Sequence, residues 1–177
     1  FFFFKQKTAY EIPKRDWSSD VCSSDLALAR LGFLVAVPDY RIAPEARFPD
    51  FLEDGARAIV KAREMAGELG GDPARLFLMG HSAGGYIAVM LGADPRWLKG
   101  AGLDLAVVRG VIGVASSYGL AGPGGGTNPV FAGRKAEEFQ PVHVIDGPRP
   151  PMLFASGGKD TLASREAAAA VARALRA

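Results

Sequence analysis

The chain has 177 residues, enough for one domain with its own apolar core, and 49% of them are hydrophobic. With 21 Lys and Arg against 19 Asp and Glu, its formal net charge is only +2; no basic cluster is visible, so nucleic acid is not an implied partner. No apolar run reaches the roughly 20 residues that span a bilayer, and the single cysteine, Cys22, excludes a disulfide framework or a thiolate metal cluster. No cofactor and no metal site are expected.

The opening, Phe1-Phe2-Phe3-Phe4-Lys5-Gln6-Lys7, is no secretory leader. Four phenylalanines are too few for an apolar leader core, and charges follow them rather than precede them. Residues Trp17 to Leu26 are polar, serine-rich and without helical or strand period. Lys5 to Ile12 and Arg15 to Leu26 resemble a translated sequencing-adapter oligonucleotide. That resemblance divides the chain into a non-biological segment, residues 1–26, and a domain, residues 27–177. It also removes Cys22 from any argument about compartment. Location is left open, with the cytoplasm favoured.

Ala27 to Leu31 reads as the last turn of a helix closed by Gly32. Phe33-Leu34-Val35-Ala36-Val37 is a continuous apolar run, as suits a parallel strand covered on both faces. Pro38 to Pro49 is a loop. From Asp50 to Leu69, the positions Leu52, Gly55, Ile59, Ala62, Ala66 and Leu69 share one helical face, and Gly70-Gly71-Asp72-Pro73 ends that helix. Arg75 to Met79 is a strand, and Tyr86 to Leu91 has a helical apolar pattern. Further strands are expected at Val107 to Ala115 and Pro151 to Ala155, and a helix at Ser164 to Ala177. Strands alternating with helices indicate an α/β fold with a mostly parallel sheet. The glycine-rich Gly122 to Thr127 lacks the Lys-Ser/Thr of a phosphate loop and reads as a connection.

Between the Arg75–Met79 strand and the following helix stands Gly80-His81-Ser82-Ala83-Gly84. A G-x-S-x-G turn in that setting is a nucleophile elbow. The turn is tight enough to strain the serine, and it needs glycine two residues to either side. It lifts the Ser82 hydroxyl to the carboxyl end of the sheet. The Ala83 amide, at the helix N-terminus, then points where an oxyanion would form. The chemistry implied is acyl transfer through a serine ester. The competing reading is a small-residue turn with an idle serine.

Asp39-Tyr40-Arg41-Ile42-Ala43-Pro44-Glu45 is similar to the signature loop of the hormone-sensitive-lipase-like esterases of the α/β-hydrolase superfamily. Gly80 to Gly85 matches their elbow, and Gly157-Gly158-Lys159-Asp160 resembles the turn that holds their triad acid. The resemblance covers nearly all of residues 27–177. It implies a partial α/β-hydrolase fold lacking N-terminal strands and the last strand. A carboxylesterase acting on a small-molecule ester is implied, with amides open because elbow and triad serve both. Kynurenine formamidase-like enzymes carry similar elbows.

In this reading Ser82 is the nucleophile and Asp160 the acid that orients the base. Asp160 could instead cap the helix that follows. The base is the difficulty, because the chain has only 2 histidines. His81 adjoins Ser82 and is expected to pack beneath the elbow. His143 precedes the acid, against the chain order Ser, Asp, His of this fold. The resemblance places the histidine in a loop beyond a strand that would follow Ala177. It places the second oxyanion donors in a His-Gly-Gly-Gly-type loop, where the opening segment stands. The fragment is therefore expected to be inactive, with a gap beside the elbow strand and a tendency to aggregate. Arg41 and Glu45 are expected to form an ion pair, and Tyr118 to be a buried loop aromatic or a pocket wall.

Overall fold

The computed structural model describes residues 2–4, 23–118, 128–160, 163 and 165–176. Cys22 and the glycine-rich stretch Gly122 to Thr127 lie outside them. Four parallel strands form one sheet in the order β1 (Phe2–Phe4), β2 (Leu76–His81), β3 (Val108–Val114) and β4 (Met152–Ala155). The register aligns Leu78 with Val111, and Val111 with Met152.

The centre of the fold is α3 (Ala83–Ala93), which packs on β2 and β3. Every residue from Gly84 to Ala93 is buried. A helix apolar on all sides has no solvent face to offer and belongs in the interior. Around it stand α2 (Asp50–Ala66), α4 (Pro95–Gly100) and α6 (Pro141–Val144), while α7 (Arg165–Ala174) packs on β4 and α6. Leu52 and Ile59 of α2 are fully buried, as their spacing predicts. Burial of each contributes about 1.5–3 kcal/mol. The helix stops earlier than the pattern suggests. Gly67 follows its last residue, the Gly71 N–H returns to the Ala66 carbonyl at 2.7 Å, and Leu69 is left exposed.

Between α3 and α4, Asp94 is 2% exposed. Its carboxylate accepts from the Arg96 amide at 3.0 Å and from the Arg96 guanidinium at 2.6–3.0 Å. One side chain thus caps α4 and neutralises its own buried charge.

Two features of the sheet differ from expectation. Phe33 to Val37 is not a regular strand. It carries one isolated bridge, at Ala36, and Phe33, Leu34 and Val37 are 39–45% exposed. A bridge at a single residue is not a ladder, and a groove of about 360 Å³ opens along Phe33, Leu34, Ala62, Leu76 and Phe77. Second, the gap expected beside β2 is partly filled by β1, which pairs Phe2 with Leu78 and Phe4 with Gly80. An unpaired strand edge accepts any extended segment within reach. At the opposite end of the sheet, β4 is the edge strand, and its Leu153 is 60% exposed.

Helix α1 (Ser23–Arg30) ends as read, with Gly32 at φ +86° and its N–H on the Ala29 carbonyl. No helix among the described residues is long and apolar enough to cross a membrane.

Candidate active site

Ser82 joins β2 directly to α3, with φ +54° and ψ −123°. A positive φ on a residue other than glycine is strained, and such strain persists only where the surroundings enforce it. Here the Ser82 N–H donates to the Val114 carbonyl at 2.9 Å, fastening the turn to β3. The Ser82 carbonyl accepts from the Tyr86 N–H at 3.2 Å, which closes the first turn of α3. A Cβ on Gly80 would overlap the Gly84 carbonyl and lie 2.6 Å from the Gly85 nitrogen. One on Gly85 would lie 2.8 Å from Ser116 Cβ and 2.9 Å from the Gly80 carbonyl. The glycines permit the turn and the turn presents the serine, which is exposed.

Ala83 is the first residue of α3. Its N–H is among the four at a helix start that have no acceptor within the helix. Ser82 and Ala83 open on a cavity of about 340 Å³, walled also by Tyr40, Arg41, Phe51 and Tyr86.

The phenols here cannot serve as bases near neutral pH. Burial pushes Tyr40 far above the ordinary tyrosine value. Burial, then the charge of Asp94, does the same to Tyr86, whose hydroxyl donates to the Phe139 carbonyl at 2.6 Å. Tyr118 is 2% exposed and packs edge-on against Phe154, so it is the buried loop aromatic; burial raises its phenol to about 12.

Arg41 does not pair with Glu45. Its guanidinium grips Asp54 of α2 at 2.9 Å through both Nε and a terminal nitrogen, and its backbone N–H donates to the same carboxylate at 3.0 Å. Asp54 sits one helix turn into α2, facing the loop, whereas Glu45 is exposed beyond it. Burial alone would raise the Asp54 carboxyl. The hydrogen bonds from the Arg41 side chain and backbone, then from Arg57, outweigh it and hold the carboxyl below the ordinary aspartate value.

Asp160 follows the carboxyl end of β4, on the same side of the parallel sheet as the elbow. Its Oδ1 accepts from the Ala163 N–H at 2.9 Å, closing the turn before α7. It is not among the residues lining the Ser82 cavity. Neither histidine lines that cavity. His143 is exposed on α6, and His81 is exposed rather than packed beneath the elbow. His81 is the last residue of β2, and the buried positions alternate through Leu76, Leu78 and Gly80, which turns His81 outward. The cavity wall formed by Phe51 and Tyr86 was not signalled by any motif.

The α/β-hydrolase fold family matches residues 10–112, more than half of the chain. The chain belongs to that family. The match begins inside the opening segment. Over 99 residues the chain is 32% identical to the isoprenylcysteine alpha-carbonyl methylesterase of Arabidopsis thaliana, covering 54% of this chain and 23% of that protein. It is 40% identical over 67 residues to a carboxylesterase of Mycobacterium tuberculosis, covering 38% of this chain and 21% of that protein. The chain thus spans less than a quarter of these relatives. An acetyl ester-xyloside bifunctional hydrolase from Caldicellulosiruptor lactoaceticus superposes with a TM-score of 0.72 at 20% identity, over 99% of this chain and 67% of that one. That likeness concerns the fold.

Proposed function

We propose that this chain is part of a serine carboxylic ester hydrolase, with Ser82 as nucleophile, the Ala83 N–H as one oxyanion donor and Asp160 as the acid that orients the base. The observation that carries the reading is the strained Ser82, held at φ +54° on the rim of a cavity beside the first amide of α3. Its similarity to carboxylesterases favours esters over amides. A base removes the Ser82 proton as Oγ attacks the ester carbonyl. The Ala83 N–H steadies the developing oxyanion. The alcohol leaves with a proton, and water then releases the acid from Ser82.

No histidine among the described residues lines the cavity. The reading therefore takes the base from outside them and expects negligible turnover by this chain alone. Residues 27–177 are taken as the hydrolase domain, with β1 an adventitious edge strand. Free imidazole can stand in for the base. A fluorophosphonate should label the chain in an imidazole-dependent way, and Ser82→Ala should abolish that labelling. Equal labelling of both proteins, or none with imidazole present, leaves Ser82 an idle turn residue.

A further inference from the structure

We infer that Phe131 sets the size of the apolar arm that the Ser82 cavity accepts, and that this arm is a single aryl ring or a chain of similar bulk. The inference rests on the proposed function for the identity of the reacting atom, but its geometry stands apart from it.

The cavity wall beside Ser82 includes a short helical turn, Pro129–Phe131, which contributes Val130 and Phe131. Nothing in the sequence ties this turn to the elbow. One backbone bond ties it to the chain ahead of α2, and two more within the turn hold its shape. The Phe48 N–H donates to the Val130 carbonyl at 3.0 Å, Asn128 Oδ1 accepts from the Val130 N–H at 3.1 Å, and the Phe131 N–H reaches the Asn128 carbonyl at 2.9 Å. The Phe131 ring stacks on Phe139 with centroids 4.5 Å apart and meets Tyr86 edge-on at 5.7 Å and Phe51 edge-on at 6.1 Å. It is 2% exposed. Such a ring cannot swing aside for a larger ligand without breaking all three contacts.

The chemistry of the wall follows from where its polar groups are spent. Phe51, Ile87, Val130 and Phe131 carry no polar side-chain group, and the Tyr86 hydroxyl is committed to the Phe139 carbonyl at 2.6 Å, while Tyr40, Arg41, Ser117 and Asn128 supply the polar groups of the lining. A sugar-like arm laid against Phe131 and its apolar neighbours would leave hydroxyls unpaired, at a cost that an apolar arm avoids. Size follows from volume. About 340 Å³ is near the lower end of ligand sites and holds about eleven groups at roughly 30 Å³ each. That accommodates a phenyl or medium-chain arm with the ester carbon.

The test uses binding, so it does not depend on turnover. Linear methyl ketones of increasing length, with acetophenone, mimic the ester without being cleaved. Saturation-transfer NMR on the whole chain, in the Ser82→Ala background, gives affinity against length. The expected profile rises about fourfold per buried methylene to an optimum and then falls. Phe131→Ala should move the optimum to longer ketones, improving the long members by about tenfold. Val130→Phe, which fills the cavity from a partly exposed position, should move it to shorter ones and carries the test if Phe131→Ala fails to fold. An optimum unmoved by either substitution, or affinity that only climbs with length as on any exposed apolar surface, overturns the inference. If Ser82 proves unlabelled while these shifts occur, the proposed reaction fails and the size-selecting wall stands.

Discussion

The carbonyl of Gly84 occupies the space where a side chain at Gly80 would begin. The clash is with backbone, so no rotamer change can relieve it. Gly80→Ala must move β2 against α3, whose residues from Gly84 to Ala93 are all buried. Overpacking of this kind costs about 3 kcal/mol or more. Gly67 offers the control. It has ordinary helical angles and nothing within 4 Å of an added Cβ. Gly67→Ala should therefore stabilise by about 0.4–1 kcal/mol. Urea denaturation of both variants checks the pair, and similar midpoints would mean that the elbow is not tight.

Ser82 stores strain that a glycine would not feel. Left-handed backbone on a residue with a Cβ costs about 1–3 kcal/mol, partly offset in glycine by its greater unfolded-state entropy. Ser82→Gly should raise stability by about 1 kcal/mol while removing imidazole-dependent phosphonate labelling. A variant less stable than the parent would show that φ +54° is not strained here.

The Arg41–Asp54 pair gives the protein an acid-sensitive clamp between the loop and α2. The folded carboxyl of Asp54 titrates below the ordinary aspartate value. A carboxyl depressed on folding stabilises in full above its unfolded value, and that contribution is lost as pH falls through the folded one. Asp54→Asn should thus destabilise at neutral pH more than Asp50→Asn or Glu53→Gln. The gap from the parent should close below the ordinary aspartate range. Denaturation curves at neutral and acid pH measure it; a constant gap would assign the effect to packing.

The elbow was legible because its chemistry is local. Glycines at fixed offsets, a strand before and a helix after are all written within one short stretch. The parallel sheet and α2 were legible from apolar period, since Leu52 and Ile59 fall on one face whatever they pack against. Three things were not. Arg41 had several carboxylates in sequence reach, and only the docking of the loop on α2 selects Asp54 over Glu45. The run Phe33 to Val37 has strand composition, but pairing is a property of neighbours, and the run carries only the isolated bridge at Ala36. Phe131 reaches the site across more than forty residues, by aromatic stacking that no spacing encodes.

Among the described residues strand β4 is the edge of the sheet, with Leu153 60% exposed on it. Such edges recruit other chains, and a charge there blunts them. Leu153→Lys removes little buried area, so it should leave stability within about 0.5 kcal/mol and lower light scattering at a fixed concentration. Deleting residues 1–22 uncovers the other edge, at Leu78 to Gly80, and should raise it. Unchanged scattering in both proteins would mean that association does not run through the sheet edges.

Asp160 can be asked which of two roles it plays, because they make different demands on its side chain. As a cap it needs only an acceptor oxygen for the Ala163 N–H at 2.9 Å. Asparagine supplies one, so Asp160→Asn should stay within about 0.5 kcal/mol of the parent, whereas Asp160→Ala should lose about 1 kcal/mol. As the acid that orients a base it needs a negative charge to hold the imidazole tautomer and to stabilise the imidazolium. Asparagine supplies neither, and imidazole-rescued labelling of Ser82 should fall by at least about tenfold. Rescued labelling that survives in Asp160→Asn would confine Asp160 to the turn before α7 and exclude it as the acid that orients the base.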